Sequence, residues 1–100
     1  MTSNNYFKKD KIMQKKDIYD IFCSVSNHNE MIKLMNELLT KSEISDLTLR
    51  WNLLCMLNEG LSQREIAAKL GVSLCKITRG AKILKDDKGV VKKIFDQNSK

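Results

Sequence analysis

The sequence predicts an all-α chain. Proline is absent throughout. Alternating apolar and polar runs are scarce, and apolar residues instead recur at three- and four-residue spacing between Ser, Thr, Asp and Gly punctuation. A length of 100 residues leaves room for one domain. A domain of this size buries only about two-thirds of its unfolded surface, so pairing with a second copy would add to its core.

Met1 to Asn5 are expected to fray, and residues 1–16, with five lysines and one aspartate, read as a flexible basic arm ahead of a single helical domain at 17–100. The first helix is expected over Tyr6–Ser24, with Ile12, Lys16, Tyr19 and Cys23 on one side and Ile18, Ile21, Phe22 and Val25 near it. Ser26-Asn27-His28-Asn29 is a turn cluster. Glu30 to Leu39 follows as a helix with Met31, Leu34, Met35, Leu38 and Leu39 at helical spacing. Thr40-Lys41-Ser42-Glu43 fits the capping-box pattern and opens a long helix to about Asn58. Its apolar positions are Ile44, Leu47, Trp51, Leu54, Met56 and Leu57, and Gly60 supplies the left-handed residue that commonly ends a helix. Ser62-Gln63-Arg64-Glu65 is a second capping box, starting a helix over Gln63–Leu70. Gly71-Val72-Ser73 is a tight turn, Ser73 caps a helix from Leu74 to about Leu84, and Asp86-Asp87 opens a last helix with Val90, Val91, Ile94 and Phe95 on its apolar side.

Several function classes drop out. No apolar run reaches the roughly 18 residues of a membrane span, and the N-terminal segment has no signal-peptide core, so a cytoplasmic location is expected. Cys23, Cys55 and Cys75 are odd in number and far apart. They read as free thiols rather than a disulfide framework or a zinc site. His28 is the single histidine and no constellation surrounds it, so it reads as a surface or capping residue. The four glycines form no phosphate-binding loop or nucleophile elbow. An enzyme is not expected. Charge is distributed unevenly: residues 17–61 carry a net −4, whereas residues 62–100 carry ten basic and four acidic side chains, a net +6. A basic C-terminal third suggests a surface for a polyanion.

The stretch Gln63 to Lys82 carries the sharpest signal. Two helices joined by a three-residue turn that contains glycine form a helix-turn-helix unit, here placed at 63–84. Ala67 is small where the helices cross, and Gly71 permits positive φ. Ile66, Leu70, Val72 and Ile77 close the core between them. Leu74, Cys75, Lys76, Thr78, Arg79 and Lys82 are left for the exposed face, and such a helix fits the major groove of duplex DNA. Gly80, in mid-helix, costs roughly 1 kcal/mol relative to alanine. Either close approach of a ligand or backbone, or tight helix packing, accounts for it.

Leu61-Ser62-Gln63-Arg64-Glu65-Ile66, Gly71-Val72-Ser73, Ile77-Thr78-Arg79-Gly80 and Leu84-Lys85, with Leu38-Leu39-Thr40, Glu43 and Arg50 upstream, resemble the Trp repressor family over about residues 18–96. That family is itself a defining example of helix-turn-helix docking, so the docking mode comes from the resemblance. The resemblance implies six helices per chain and an intertwined homodimer. It also implies L-tryptophan as corepressor, with its indole between the Arg50 and Arg79 side chains. Thr40 and Gly80 match further pocket positions, and carbonyls near Glu37 and Leu39 would hold the ammonium group. Ile83 stands where many members carry a serine that helps bind that group, and Asn58-Glu59-Gly60-Leu61-Ser62 forms a link one residue shorter than in the best-known members.

Toward DNA, the resemblance places Arg64 on a guanine edge, Leu74, Cys75, Lys76 and Thr78 at the recognition-helix tip, and Gln63 and Lys85 on phosphates. Ala67 stands where a lysine often lies. The implied function is an aporepressor that binds L-tryptophan, uses no metal, and then binds double-stranded operator DNA to repress a tryptophan operon. A related regulator that does not depend on tryptophan is the alternative. A helical adaptor that binds protein through the acidic middle is a third reading.

Overall fold

The computed structural model describes residues 16–98. Among these residues there are six helices and no strand: α1 (Ile18–Ser24), α2 (His28–Leu38), α3 (Lys41–Asn58), α4 (Gln63–Leu70), α5 (Leu74–Leu84) and α6 (Val90–Asn98). They fall into two compact units, with the boundary between Thr40 and Lys41.

In the N-terminal unit, the helix expected over Tyr6–Ser24 is interrupted at Lys16 and Asp17. Lys16 lies in a bend and Asp17 is extended, so α1 begins at Ile18. Asp17 and Asp20 form a reciprocal capping box: Asp17 Oδ1 accepts from the Asp20 amide at 2.8 Å and Asp20 Oδ2 from the Asp17 amide at 3.2 Å. The remainder of the expected helix and of the basic arm, residues 1–15, lies outside the described residues. α2 starts at His28, two residues earlier than expected, because Asn27 Oδ1 accepts from the Glu30 amide at 3.0 Å and caps it. Neither α1 nor α2 has a buried residue.

In the C-terminal unit, α3 ends in a Schellman motif. Gly60 (φ +92°) sends its amide to the Leu57 carbonyl, and Leu61 sends its amide to the Met56 carbonyl. Leu61 and Met56 then both pack on the core. α4 starts at the expected capping box. Ser62 Oγ accepts from the Glu65 amide at 3.1 Å, and Glu65 Oε1 accepts from the Ser62 amide at 2.9 Å. Hydrogen bonds from the backbone and side chain of Ser62 hold the Glu65 carboxyl below its ordinary value of 4.5. α4 ends at Gly71, in the left-handed region at φ +65°, and Ser73 caps α5.

The core is small and central. Ile66 and Ile77 are fully buried, Leu53 lies against them, and Leu70, Val72 and Ala67 pack around. α3 departs from expectation here: Leu53, not picked out by the periodicity, is 4% exposed, while Leu47 and Trp51 remain 47% and 38% exposed. Apolar residues surround this helix, so spacing alone does not select one face. Trp51 stacks on Phe95 of α6, ring centroids 5.0 Å apart. The last helix also differs. Asp86 Oδ1 accepts from the Lys88 amide and the Asp86 carbonyl from the Gly89 amide, forming a turn, so α6 begins at Val90. Val90 itself, expected on the apolar side, is 69% exposed.

The mid-helix glycine has a packing cause. A methyl group added at Gly80 would lie 2.6 Å from Leu53 Cδ2 and 3.1 Å from Leu57 Cδ1, well inside van der Waals contact. Gly80 therefore lets α5 approach α3 closely. Gly80→Ala gains about 1 kcal/mol of helix propensity and meets an overpacking cost of roughly 1–3 kcal/mol. We expect a net loss of stability on the order of 1 kcal/mol in urea unfolding; an unchanged or raised midpoint would contradict the packing role.

Candidate ligand cleft and nucleic-acid interface

α5 presents three faces. Ile77 and Gly80 turn into the core. Lys76, Arg79, Gly80 and Ile83, at i, i+3, i+4 and i+7, line a cleft. Leu74, Thr78, Lys82 and Lys85, again one helical stripe, are exposed on another side, with Cys75 next to them. The opposite wall of the cleft is one stripe of α3: Asp46, Leu49, Arg50, Leu53 and Leu54. Val72, in the turn before α5, completes the lining.

The cleft has a volume of about 420 Å³, within the range of roughly 300–1,000 Å³ typical of small-molecule sites. Its base is apolar, where Leu53, Leu54 and Gly80 are buried at the crossing of α3 and α5. The charged lining residues Asp46, Arg50, Lys76 and Arg79 are exposed. An apolar slot rimmed by guanidinium groups suits a flat ring that carries an anionic group. A second hollow, at Asp87, Lys88, Gly89, Lys93, Asp96 and Gln97, has no apolar lining residue and offers nothing comparable.

The cleft thus brings together four of the six residues nominated for the ligand: Arg50, Arg79, Gly80 and Ile83. Leu39, the C-cap of α2, and Thr40 belong to the N-terminal unit and remain expectations. Asp46, Leu49, Leu53, Leu54 and Val72 were missed as lining residues; the i, i+4 relation of Asp46 to Arg50 was the available signal. Lys76, nominated for DNA, is exposed and also lines the cleft.

Gln63 and Arg64 are exposed in the first turn of α4, and Lys85 is exposed as the C-cap of α5. Ala67 is half-buried and packs against the core. Among the described residues no group of His, Cys, Asp or Glu could hold a metal ion, and no helix is long and apolar enough to cross a membrane.

Residues 14–99 match the family model described as Trp repressor protein. The chain belongs to the Trp repressor family. Its members regulate transcription. Three proteins each named Trp operon repressor homolog are similar to it. The one from Xylella fastidiosa is 44% identical over 68 residues, which is 67% of this chain and 74% of that protein. The one from Vibrio campbellii is 35% identical over 89 residues, 84% and 89% of the two chains. The one from Chlamydia trachomatis serovar D is 36% identical over 77 residues, 72% and 82%. No solved structure matches the chain. The six described helices agree with the fold expected from the sequence.

Proposed function

We propose that the chain is a DNA-binding repressor whose corepressor is L-tryptophan and whose target is a tryptophan operon, acting in the cytoplasm. One observation carries this reading: α3 and α5 bring Arg50, Arg79, Gly80 and Ile83 to one apolar cleft, in a chain of this family. The names of the similar proteins support the operon assignment. In this reading the indole enters the slot and stacks on guanidinium faces, and Arg79 meets the carboxylate. The exposed stripe of α5 enters the major groove, with Arg64 on a base edge and Gln63 and Lys85 on phosphates. Bound ligand biases the orientation of α5 because it touches the same helix that reads DNA. It can do so only through its different affinity for the two arrangements. The bound repressor then blocks RNA polymerase at the promoter.

A homodimer belongs to the same proposal. α1 and α2 bury no residue, and Ile18, Tyr19, Ile32, Leu38, Leu47 and Trp51 all stay exposed in the single chain. Large apolar side chains left exposed in each unit favour association with a second copy. Paired recognition helices would then enter successive major grooves. Sedimentation at micromolar concentration should give twice the chain mass of 11.5 kDa; a single-chain mass would remove the dimer.

Calorimetric titration with L-tryptophan should give one saturable site per chain, and Arg79→Ala should abolish the heat. Unchanged affinity in Arg79→Ala would take Arg79 out of the site, and no binding to the native protein would favour the tryptophan-independent regulator. Arg64→Ala should weaken binding to a duplex selected from a random pool by roughly 1–3 kcal/mol while tryptophan binding stays intact. An equal loss on unselected DNA would reduce Arg64 to a phosphate contact.

A further inference from the structure

The tip of α5 carries an apolar side chain that neither the core nor the cleft uses. Leu74, the first residue of the helix, is 58% exposed. It belongs neither to the buried cluster nor to the apolar residues packed on it, and it does not line the cleft. Cys75 beside it is an exposed free thiol, and Thr78, one turn on, is exposed as well. A single exposed leucine is common on protein surfaces. This one stands in the first turn of a helix whose every charge is positive. α5 contains Lys76, Arg79 and Lys82 and no acidic residue, Lys85 caps its end, and all four cations are exposed. An apolar tip ringed by cations fits a polyanion that displays an apolar group between its charges. In duplex DNA that group is the C5-methyl of thymine, which stands in the major groove between the two phosphate backbones.

We infer that Leu74 reads a thymine by apolar contact with its C5-methyl group, so that each half-site holds a thymine selected by its methyl group rather than by its hydrogen-bonding edge. This rests on the reading of α5 as the helix that enters the major groove, and it does not depend on what occupies the cleft. A leucine side chain has no donor or acceptor, so it cannot tell bases apart by their hydrogen-bonding patterns. The thymine methyl is the one base-edge group in the major groove that it complements. Set against the amino group of cytosine or adenine, Leu74 would strip water from a donor and return no hydrogen bond, which adds to the discrimination. The surrounding cations meet phosphates and carry no sequence information. An RNA duplex lacks the methyl group, and its deep, narrow major groove does not admit the side chain.

A duplex recovered from a random pool in the presence of L-tryptophan is the probe. Each thymine is replaced in turn, in both half-sites together, by deoxyuridine, which removes only the methyl group. Affinities of the native protein and of Leu74→Ala are measured at one salt concentration, and circular dichroism verifies that the variant is folded. Replacement at one position should weaken the native protein about fourfold for each half-site, as expected for one methyl group returned to water. Leu74→Ala should bind the thymine and deoxyuridine duplexes equally, and should sediment as the native protein does. Native affinity that ignores every replacement overturns the inference while leaving α5 as the DNA-reading helix. Full sensitivity to the methyl group in Leu74→Ala overturns it too, because another residue then reads the thymine. A changed mass in sedimentation assigns Leu74 to contact with a second copy and likewise overturns it. Failure of the native protein to bind any duplex overturns the DNA-binding reading and this inference with it.

Discussion

The close approach of α5 to α3 at Gly80 governs the C-terminal unit. With no side chain at Gly80, the α5 backbone settles onto Leu53 and Leu57. The same crossing brings the i, i+3, i+4, i+7 stripe of α5 opposite the Asp46, Arg50, Leu53 stripe of α3. The base of the cleft is therefore the helix contact itself. A larger residue at 80 would push the walls apart, fill the slot and tilt the helix at once.

The small core beside that contact fixes where α5 points. Ile66 from α4 and Ile77 from α5 are fully buried against Leu53. The left-handed Gly71 and the Ser73 cap set the bend between the two helices. One helix thus serves three surfaces: packing, a cleft and an exposed stripe. A molecule in the cleft touches α5 on one side, and whatever meets Leu74, Thr78 and Lys85 touches it on another. Coupling of the two sites then needs no long pathway, since both act on one rigid element whose orientation each can bias.

Legibility in the sequence followed the kind of physics involved. Local chemistry was readable: the Ser62–Glu65 box, the Gly60 and Gly71 helix ends, and the Ile66, Leu70, Val72, Ile77 core appear where backbone capping and short-range spacing place them. Competition between equivalent local signals was not. Asp17 captured the start of α1 through its own capping box, and Asp86 spent its carboxylate on a turn instead of a helix cap. α3 offers apolar residues all round, so the choice of Leu53 over Leu47 and Trp51 as the buried position depends on where α4 and α5 lie. The cleft was half legible for the same reason. Arg79, Gly80 and Arg50 stood out through the family motif, whereas Asp46, Leu49 and Leu53 join the site through a tertiary crossing.

The claim most exposed to test is that the cleft and the α5 outer stripe are coupled. Duplexes recovered from a random pool in the presence of L-tryptophan would be measured for affinity with and without the amino acid at one salt concentration. The account predicts a two-fold symmetric sequence bound at least about fivefold more tightly when L-tryptophan is present, the lower end of ordinary coupling energies. Equal affinity in both conditions, for a protein that demonstrably binds the amino acid, would contradict it.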